Sequence, residues 1–156
     1  MGARLRIHPG YGVGPFLLGM TRAELIAAAR TAGRDAALEV DLPWLFDVPG
    51  IDVGFSDTEP LRACWIVVSD PSAELAGRRL IGLGEDDCLT RLQAAGIGPI
   101  LRGPELEPGL CDLDWPAGKL CFQLARGRVE AVIVEPFYDA AGERPLWPMD
   151  ARDRVQ

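Results

Sequence analysis

The acidic residues best placed for chemistry in this sequence are Asp112 and Asp114, which alternate along a segment that we predict to be a β-strand. Because successive side chains of a strand point to opposite faces, both carboxylates are expected on the same face. Two carboxylates held that close can act as general acid and general base, as they do in glycosidases. A plain solvated strand face gives the same pattern, and it is the interpretation that we favour.

Large aromatic residues are a second kind of candidate, because a few buried aromatics supply most of the free energy of many protein–protein interfaces. Trp44 and Phe46 lie in an unusually apolar segment, residues 43–50, which prolines bound and which we predict to be a loop. Trp115 directly follows Asp114. Aromatic residues beside carboxylates would suit a partner rich in Arg and Lys, although each of them could equally fill the core.

An acidic triplet at the predicted start of a second helix completes the candidates, since the helix dipole favours negative charge there. The residues that we predict to bind a partner are Trp44, Phe46, Glu85, Asp86, Asp87, Asp112, Asp114 and Trp115. None of them is assigned a catalytic or metal-binding role.

The motifs of nucleotide binding, nucleophilic catalysis and zinc binding are incomplete. Gly12 and Gly14 lie in a glycine-rich segment, but the Lys of a phosphate loop and the third glycine of a dinucleotide-binding fingerprint are missing. His8 is the single histidine, no G-x-S-x-G motif occurs, and none of the four cysteines belongs to a C-x-x-C pair. We therefore expect no cofactor, no metal and no enzymatic activity, with the cysteines as reduced core thiols.

The overall charge limits the classes of molecule that we expect as partners. The 156 residues include 16 basic and 23 acidic ones, which gives a formal net charge of −7 at pH 7. Nucleic-acid binding needs clustered Lys and Arg to displace counterions from phosphates, so we expect no nucleic-acid partner. A basic protein partner would fit this charge, although many soluble proteins are equally acidic without one.

The N-terminal residues contain no apolar stretch of the length of a signal peptide, and no segment approaches the roughly 18 apolar residues of a membrane span. We therefore expect a cytoplasmic protein that does not bind a membrane.

Two helices and seven strands are predicted from capping residues and hydrophobic periodicity, and the first strand is a short one at Leu5–Ile7. The first helix, over about Thr21–Ala32, begins with a capping box formed by Thr21 and Glu24, and the second begins near Glu85 or Asp86 and ends before Gly96. After the first helix we predict strands at Ala37–Leu42, Ile51–Phe55 and Leu61–Ser69; after the second, at Leu110–Trp115, Leu120–Leu124 and Arg128–Glu135.

The order of elements indicates an internal duplication. A Leu-Gly pair precedes each helix, three strands follow it, and the separations between matched helix entries and matched last strands agree to within one residue. We predict one α+β domain over residues 1–156, made of tandem α-β-β-β pseudo-repeats at about 7–70 and 76–139, with 140–156 as a C-terminal tail. The strands would form one antiparallel sheet or two sheets, with both helices on one face.

The segment Gly12–Leu25, GVGPFLLGMTRAEL, resembles the G-[IV]-G-[PK]-x-x-x-G-M-T-x-x-E-[VL] opening of a group of small bacterial proteins. The turn at Leu80–Gly84, the strand Val129–Val134 and the close at Phe137–Tyr138 are similar to the second half of that group. Some of its members look like immunity proteins of contact-dependent or other polymorphic toxin systems. The tandem plan also resembles the β-lactamase-inhibitor and outer-membrane assembly lipoprotein folds, although a lipobox cysteine is missing here.

Two functional hypotheses follow. The resemblance implies an immunity protein that neutralises a bacterial toxin, and a basic toxin domain would be its partner. The alternative is a small ligand-binding domain or a carboxylate-based enzyme with a cleft between the two repeats.

Overall fold

The computed structural model describes residues 4–34, 42 and 45–148. It contains two helices, α1 (Arg22–Thr31) and α2 (Glu85–Ala94). Its strands are β1 (Arg6–His8), β2 (Gly12–Val13), β3 (Phe16–Leu17), β4 (Phe46–Val48), β5 (Ile51–Phe55), β6 (Ala63–Val68), β7 (Glu74–Leu75), β8 (Arg78–Arg79), β9 (Leu101–Arg102), β10 (Cys111–Trp115), β11 (Leu120–Ala125) and β12 (Arg128–Val134). The predicted α+β class is therefore confirmed.

The two helices begin differently although they hold equivalent places in the chain. At α1 the predicted capping box is present: Glu24 N donates to Thr21 Oγ1, and Thr21 N donates to the Glu24 carboxylate. At α2 the N-cap is Gly84 instead of the predicted Glu85 or Asp86, and no side chain caps the helix. The acidic first turn of α2 thus stabilises its N-terminus through the helix dipole alone.

Three strands from each half form most of a seven-stranded antiparallel sheet, in the order β4-β5-β6-β12-β11-β10-β9. The last strand of one half, β6, pairs with the last strand of the other, β12, and Val67 lies opposite Ile133 at their centre. Outward from this central pair, the last, middle and first strands of each half follow in the same order on both sides. Strand β9 then adds one further strand beside β10. This is the arrangement that a duplicated α-β-β-β unit would give.

A second sheet of five short strands, in the order β3-β2-β1-β7-β8, is built from the segments that precede the helices. At its centre β1 and β7 run parallel, with Arg6 opposite Glu74 and Ile7 opposite Leu75. The two halves of the chain are thus joined twice, once in each sheet.

One side of the large sheet is covered and supplies the core. Buried residues lie opposite buried residues across its strands, as in the pairs Val53–Ile66, Val68–Val132 and Leu113–Phe122. The buried side chains of α1 (Leu25, Ala29) and of α2 (Cys88, Leu92) belong to the same hydrophobic cluster. Both helices therefore pack on this side, which we call the covered face.

Most strand predictions are confirmed to within two residues, and the exceptions lie in short or irregular segments. Residues 43–50, predicted to be a loop, contain β4, whose Phe46 and Val48 alternate inward around the outward Asp47. The hairpin β7–β8 and the edge strand β9 were not predicted, since strands of two residues carry no periodicity. The strand predicted at Ala37–Leu42 lies outside the described residues, apart from Leu42.

The described part of the predicted C-terminal tail packs against the rest of the domain. The side chain of Trp147 packs on the core and lies against Gly19, and Leu146 N donates to the carbonyl of Phe137. Among the described residues, no helix is long and apolar enough to cross a membrane.

Candidate functional site

The side of the large sheet opposite the helices combines apolar and acidic side chains, and we call it the open face. Its side chains are those that alternate with the core residues along each strand. Of the described helices, both pack on the other side, so neither covers it. The residues of the open face are Asp47, Asp52, Gly54, Trp65, Val67, Leu101, Asp112, Asp114, Cys121, Gln123, Ala131, Ile133 and, just after β12, Glu135.

One row of cross-strand neighbours crosses the whole open face. It runs through Asp47, Asp52, Val67, Ile133, Cys121, Asp114 and Leu101, in the order of the strands. The row is apolar in the middle and acidic towards both ends. An antiparallel sheet face that only meets water is normally polar along its entire width, so the apolar centre requires a separate explanation.

Trp65 is the largest side chain of the open face. It remains 46% exposed and lies over Gly54, its cross-strand neighbour, where an added Cβ would overlap the indole ring. Together with Tyr138 it lines a depression of about 440 Å³ whose polar lining includes Asp57 and Glu135. This depression pairs two aromatic rings with two carboxylates.

The charges of the open face perturb the groups among them. Burial and the hydrogen-bonded, like-charged Asp47 raise the pKa of Asp52, its direct cross-strand neighbour. Burial, together with the negative charges of Asp112, Asp114 and Glu135, raises the pKa of the Cys121 thiol to about 12. Carboxylates from both halves of the chain therefore contribute to one negative surface.

The predicted pair Asp112 and Asp114 lies on the open face, and both side chains share one side of β10 as expected. Trp115 does not join them. It points to the covered face, where it packs on the edge of the core and over Gly118. The period of two residues along β10 separates this aromatic side chain from the carboxylates beside it in sequence.

The remaining predicted residues are dispersed. Phe46 is buried and packs against Phe16 with ring centroids 5.6 Å apart, so it belongs to the core, and Trp44 lies outside the described residues. Glu85 forms a two-oxygen ion pair with Arg102 at 3.1 and 3.2 Å. Asp86 and Asp87 are exposed on α2, away from the open face.

The sequence reasoning missed Asp47, Asp52 and Trp65. The last two lie in correctly predicted strands, where alternation already places them opposite the inward Ile51, Val53 and Ile66. Asp47 was missed because residues 43–50 were taken as a loop. The alternation of Phe46, Asp47 and Val48 is the signal that would have identified it.

No family model, curated protein or solved structure matches this chain. Its function is therefore inferred from the chemistry of its surfaces.

A cleft also lies between segments of the two halves of the chain. It has a volume of about 620 Å³ and is lined by parts of β1, β7, the end of α2 and Trp115. The carboxylates predicted to act there, Asp112, Asp114 and residues 85–87, do not line it. Its charged residues are Arg4, Arg6 and Glu74, and we call it the inter-unit cleft. Among the described residues, no cluster of His, Cys, Asp and Glu could hold a metal ion.

Proposed function

We propose that this chain is a cytoplasmic binding protein that presents its open face to a basic protein, most specifically an immunity protein that neutralises a bacterial toxin. The observation that carries the proposal is the row across the open face, whose apolar centre is flanked by aspartates on both sides. An apolar centre within a charged rim is the usual anatomy of a protein–protein interface.

The aspartates on both sides of the apolar centre would make the interface selective and would raise the rate of association. Asp47 and Asp52 flank the apolar centre on one side and Asp112 and Asp114 flank it on the other, so a partner with two basic patches would be oriented as well as attracted. Such complementary charge accelerates association and rejects acidic proteins. A partner that must be bound quickly, such as a toxin, would benefit most from this steering.

The depression beside Trp65 supplies an anchor. A guanidinium from the partner would stack on the Trp65 or Tyr138 ring while Asp57 and Glu135 accept its hydrogen bonds. Lys119 Nζ lies 5.8 Å from the centre of the Tyr138 ring, within the range of a cation–π contact. We therefore propose that an arginine of the partner occupies the depression.

The direct test is a binding measurement between this chain and the product of the gene adjacent to its own. Reversal of charge in Asp112→Lys/Asp114→Lys is expected to weaken binding at least tenfold and to lower the association rate. The matched control, Asp86→Lys/Asp87→Lys, changes the net charge equally on α2 and is expected to leave the affinity nearly unchanged. No binding of the adjacent gene product would contradict the immunity role, and equal losses from the two double variants would contradict the assignment to the open face.

The anchor is tested separately. Trp65→Ala is expected to weaken binding by more than tenfold, whereas Tyr11→Ala, an aromatic of similar exposure in the turn after β1, should change it little. The reverse order of the two effects would place the interface on the small sheet.

A further inference from the structure

The inter-unit cleft is concave, chemically distinct from the open face, and formed by both halves of the chain. Its wall is made by β1 of the first half and by β7, the residues just after α2, and Trp115 of the second. Its volume of about 620 Å³ lies in the range of small-molecule sites, which is about 300–1,000 Å³. A cleft of this size accommodates a small molecule more readily than a folded protein surface.

The polar side of the cleft is basic although the chain as a whole is strongly acidic. Arg4, Arg6 and His8 alternate along and before β1, so their side chains share one face of the small sheet. Among the described residues, these three side chains form no hydrogen bond or ion pair that would neutralise them.

The single carboxylate of the cleft is already partly neutralised. Glu74, opposite Arg6 across the parallel pair, lies 3.9 Å from Arg79 on its other side. Two guanidinium groups of the cleft therefore remain to attract an anion.

The rest of the cleft lining is largely apolar. Ile97 and Trp115, both packed against the core, line it together with Pro9. The Trp115 ring lies over Gly118, where an added Cβ would overlap it. A lining that combines apolar side chains with two guanidinium groups is complementary to a molecule with an anionic end and an apolar end.

We propose that the inter-unit cleft binds a small organic anion, a carboxylate or phosphate monoester with an aromatic or aliphatic body. The anion pairs with Arg4 and Arg6, and the apolar body packs on Trp115 and Ile97. This site lies apart from the open face, so it would be independent of the partner bound there.

Phenyl phosphate is a suitable probe, because it combines a dianion with one aromatic ring. In a titration followed by ¹H–¹⁵N NMR spectroscopy, the indole signal of Trp115 and the amide signals of Ile97 and His8 are expected to shift saturably, with Kd on the order of 1 mM or tighter. The indole signal of Trp65, on the open face, should stay in place. 3-Phenylpropionate in place of phenyl phosphate tells whether the site prefers a carboxylate or a phosphate.

Two further probes test the contribution of the arginines and that of the apolar wall separately. Phenol, which lacks the anion, and inorganic phosphate, which lacks the ring, should each bind about tenfold more weakly than phenyl phosphate. Equal binding of phenol would overturn the role of the arginines, and equal binding of inorganic phosphate would overturn that of the apolar wall.

Substitution of the arginines tests whether the anion binds to them. Arg4→Gln and Arg6→Gln are each expected to weaken binding of phenyl phosphate about tenfold, while Arg30→Gln, an exposed arginine of α1 that does not line the cleft, should not. Both cleft residues are exposed, so these variants should retain the native NMR spectrum outside the cleft. Saturable shifts that survive both substitutions, or no saturable shift in the native chain, would overturn the proposal.

Discussion

The covered and open faces of the seven-stranded sheet differ by a step of one residue along each strand. The row Val48, Ile51, Val68, Val132, Phe122 and Leu113 crosses the covered face, and each member is buried and apolar. The adjacent row Asp47, Asp52, Val67, Ile133, Cys121 and Asp114 crosses the open face. The two rows are alike at the centre of the sheet and differ only towards its edges.

This difference separates the requirements of folding from those of binding. Core formation requires an apolar row on one face only, and the central residues of the open face are apolar without that need. The carboxylates at the edges keep that apolar centre soluble and make it selective for basic surfaces. The open face is therefore better explained as an interface than as a solvated surface.

The largest expected effect tests whether the two faces really differ in their contribution to stability. Phe122→Ala removes a fully buried ring from the covered face and is expected to lower the free energy of unfolding by about 3–5 kcal/mol. Ile133→Ala, on the neighbouring strand but on the open face, should cost less, about 1–2 kcal/mol, because its side chain is still partly exposed. Urea denaturation measures both, and similar losses would mean that the open face is covered in solution.

The sequence predicts much of this comparison, because alternation along a strand assigns residues to one side or the other. It places Asp112 and Asp114 together, and the capping box at Thr21 and Glu24 locates α1 almost to the residue. Alternation does not reveal which strands become neighbours. The pairing of Val67 with Ile133, which unites the acidic ends of both halves on one surface, depends on contacts between residues far apart in the chain.

The errors have equally specific causes. Trp115 was grouped with Asp114 because the two are adjacent in sequence, although a strand turns adjacent residues to opposite faces. The basic character of the inter-unit cleft was hidden by the net charge, since a total of −7 says nothing about where fifteen arginines lie. Arg6 belongs to the three-residue strand β1, and Arg4 lies two residues before that strand.

A smaller effect is expected from two glycines that lie beneath tryptophan rings, one on each face. Gly118→Ala forces a methyl group into the ring of Trp115, which is wedged at the edge of the core, and should cost about 1–3 kcal/mol. Gly54→Ala makes the same clash with Trp65, but this ring is 46% exposed and can rotate away, so stability should change by less than about 0.5 kcal/mol. Urea denaturation gives the stabilities, and the indole NMR signal of Trp65 should move in Gly54→Ala even though the protein stays folded. A larger loss from Gly54→Ala would mean that the ring of Trp65 is fixed.

The smallest effects concern two aspartates whose pKa values are shifted in opposite directions. Burial and the neighbouring Asp47 raise the pKa of Asp52 on the open face above the ordinary 3.8, so the folded state binds this proton more tightly than the unfolded state. Its contribution to stability is therefore favourable at low pH and is lost as the pH rises through the raised pKa. Asp52→Asn should stabilise the chain at pH 7, by no more than about 0.5 kcal/mol because the group is largely exposed.

Asp70, at the end of β6, provides the opposite case. Burial alone would raise its pKa, but hydrogen bonds from Ser72 and the charge and hydrogen bond of Arg34 outweigh burial and lower the pKa below 3.8. This contribution is present above the ordinary pKa and is lost as the pH falls through the lowered one, so Asp70→Asn should destabilise the chain at pH 7, by less than about 1 kcal/mol. Urea denaturation between pH 3 and pH 8 compares the two variants. If Asp52→Asn also destabilises the chain at neutral pH, the Asp52 carboxylate stabilises the fold. Its presence on the open face would then be explained by stability and not by binding.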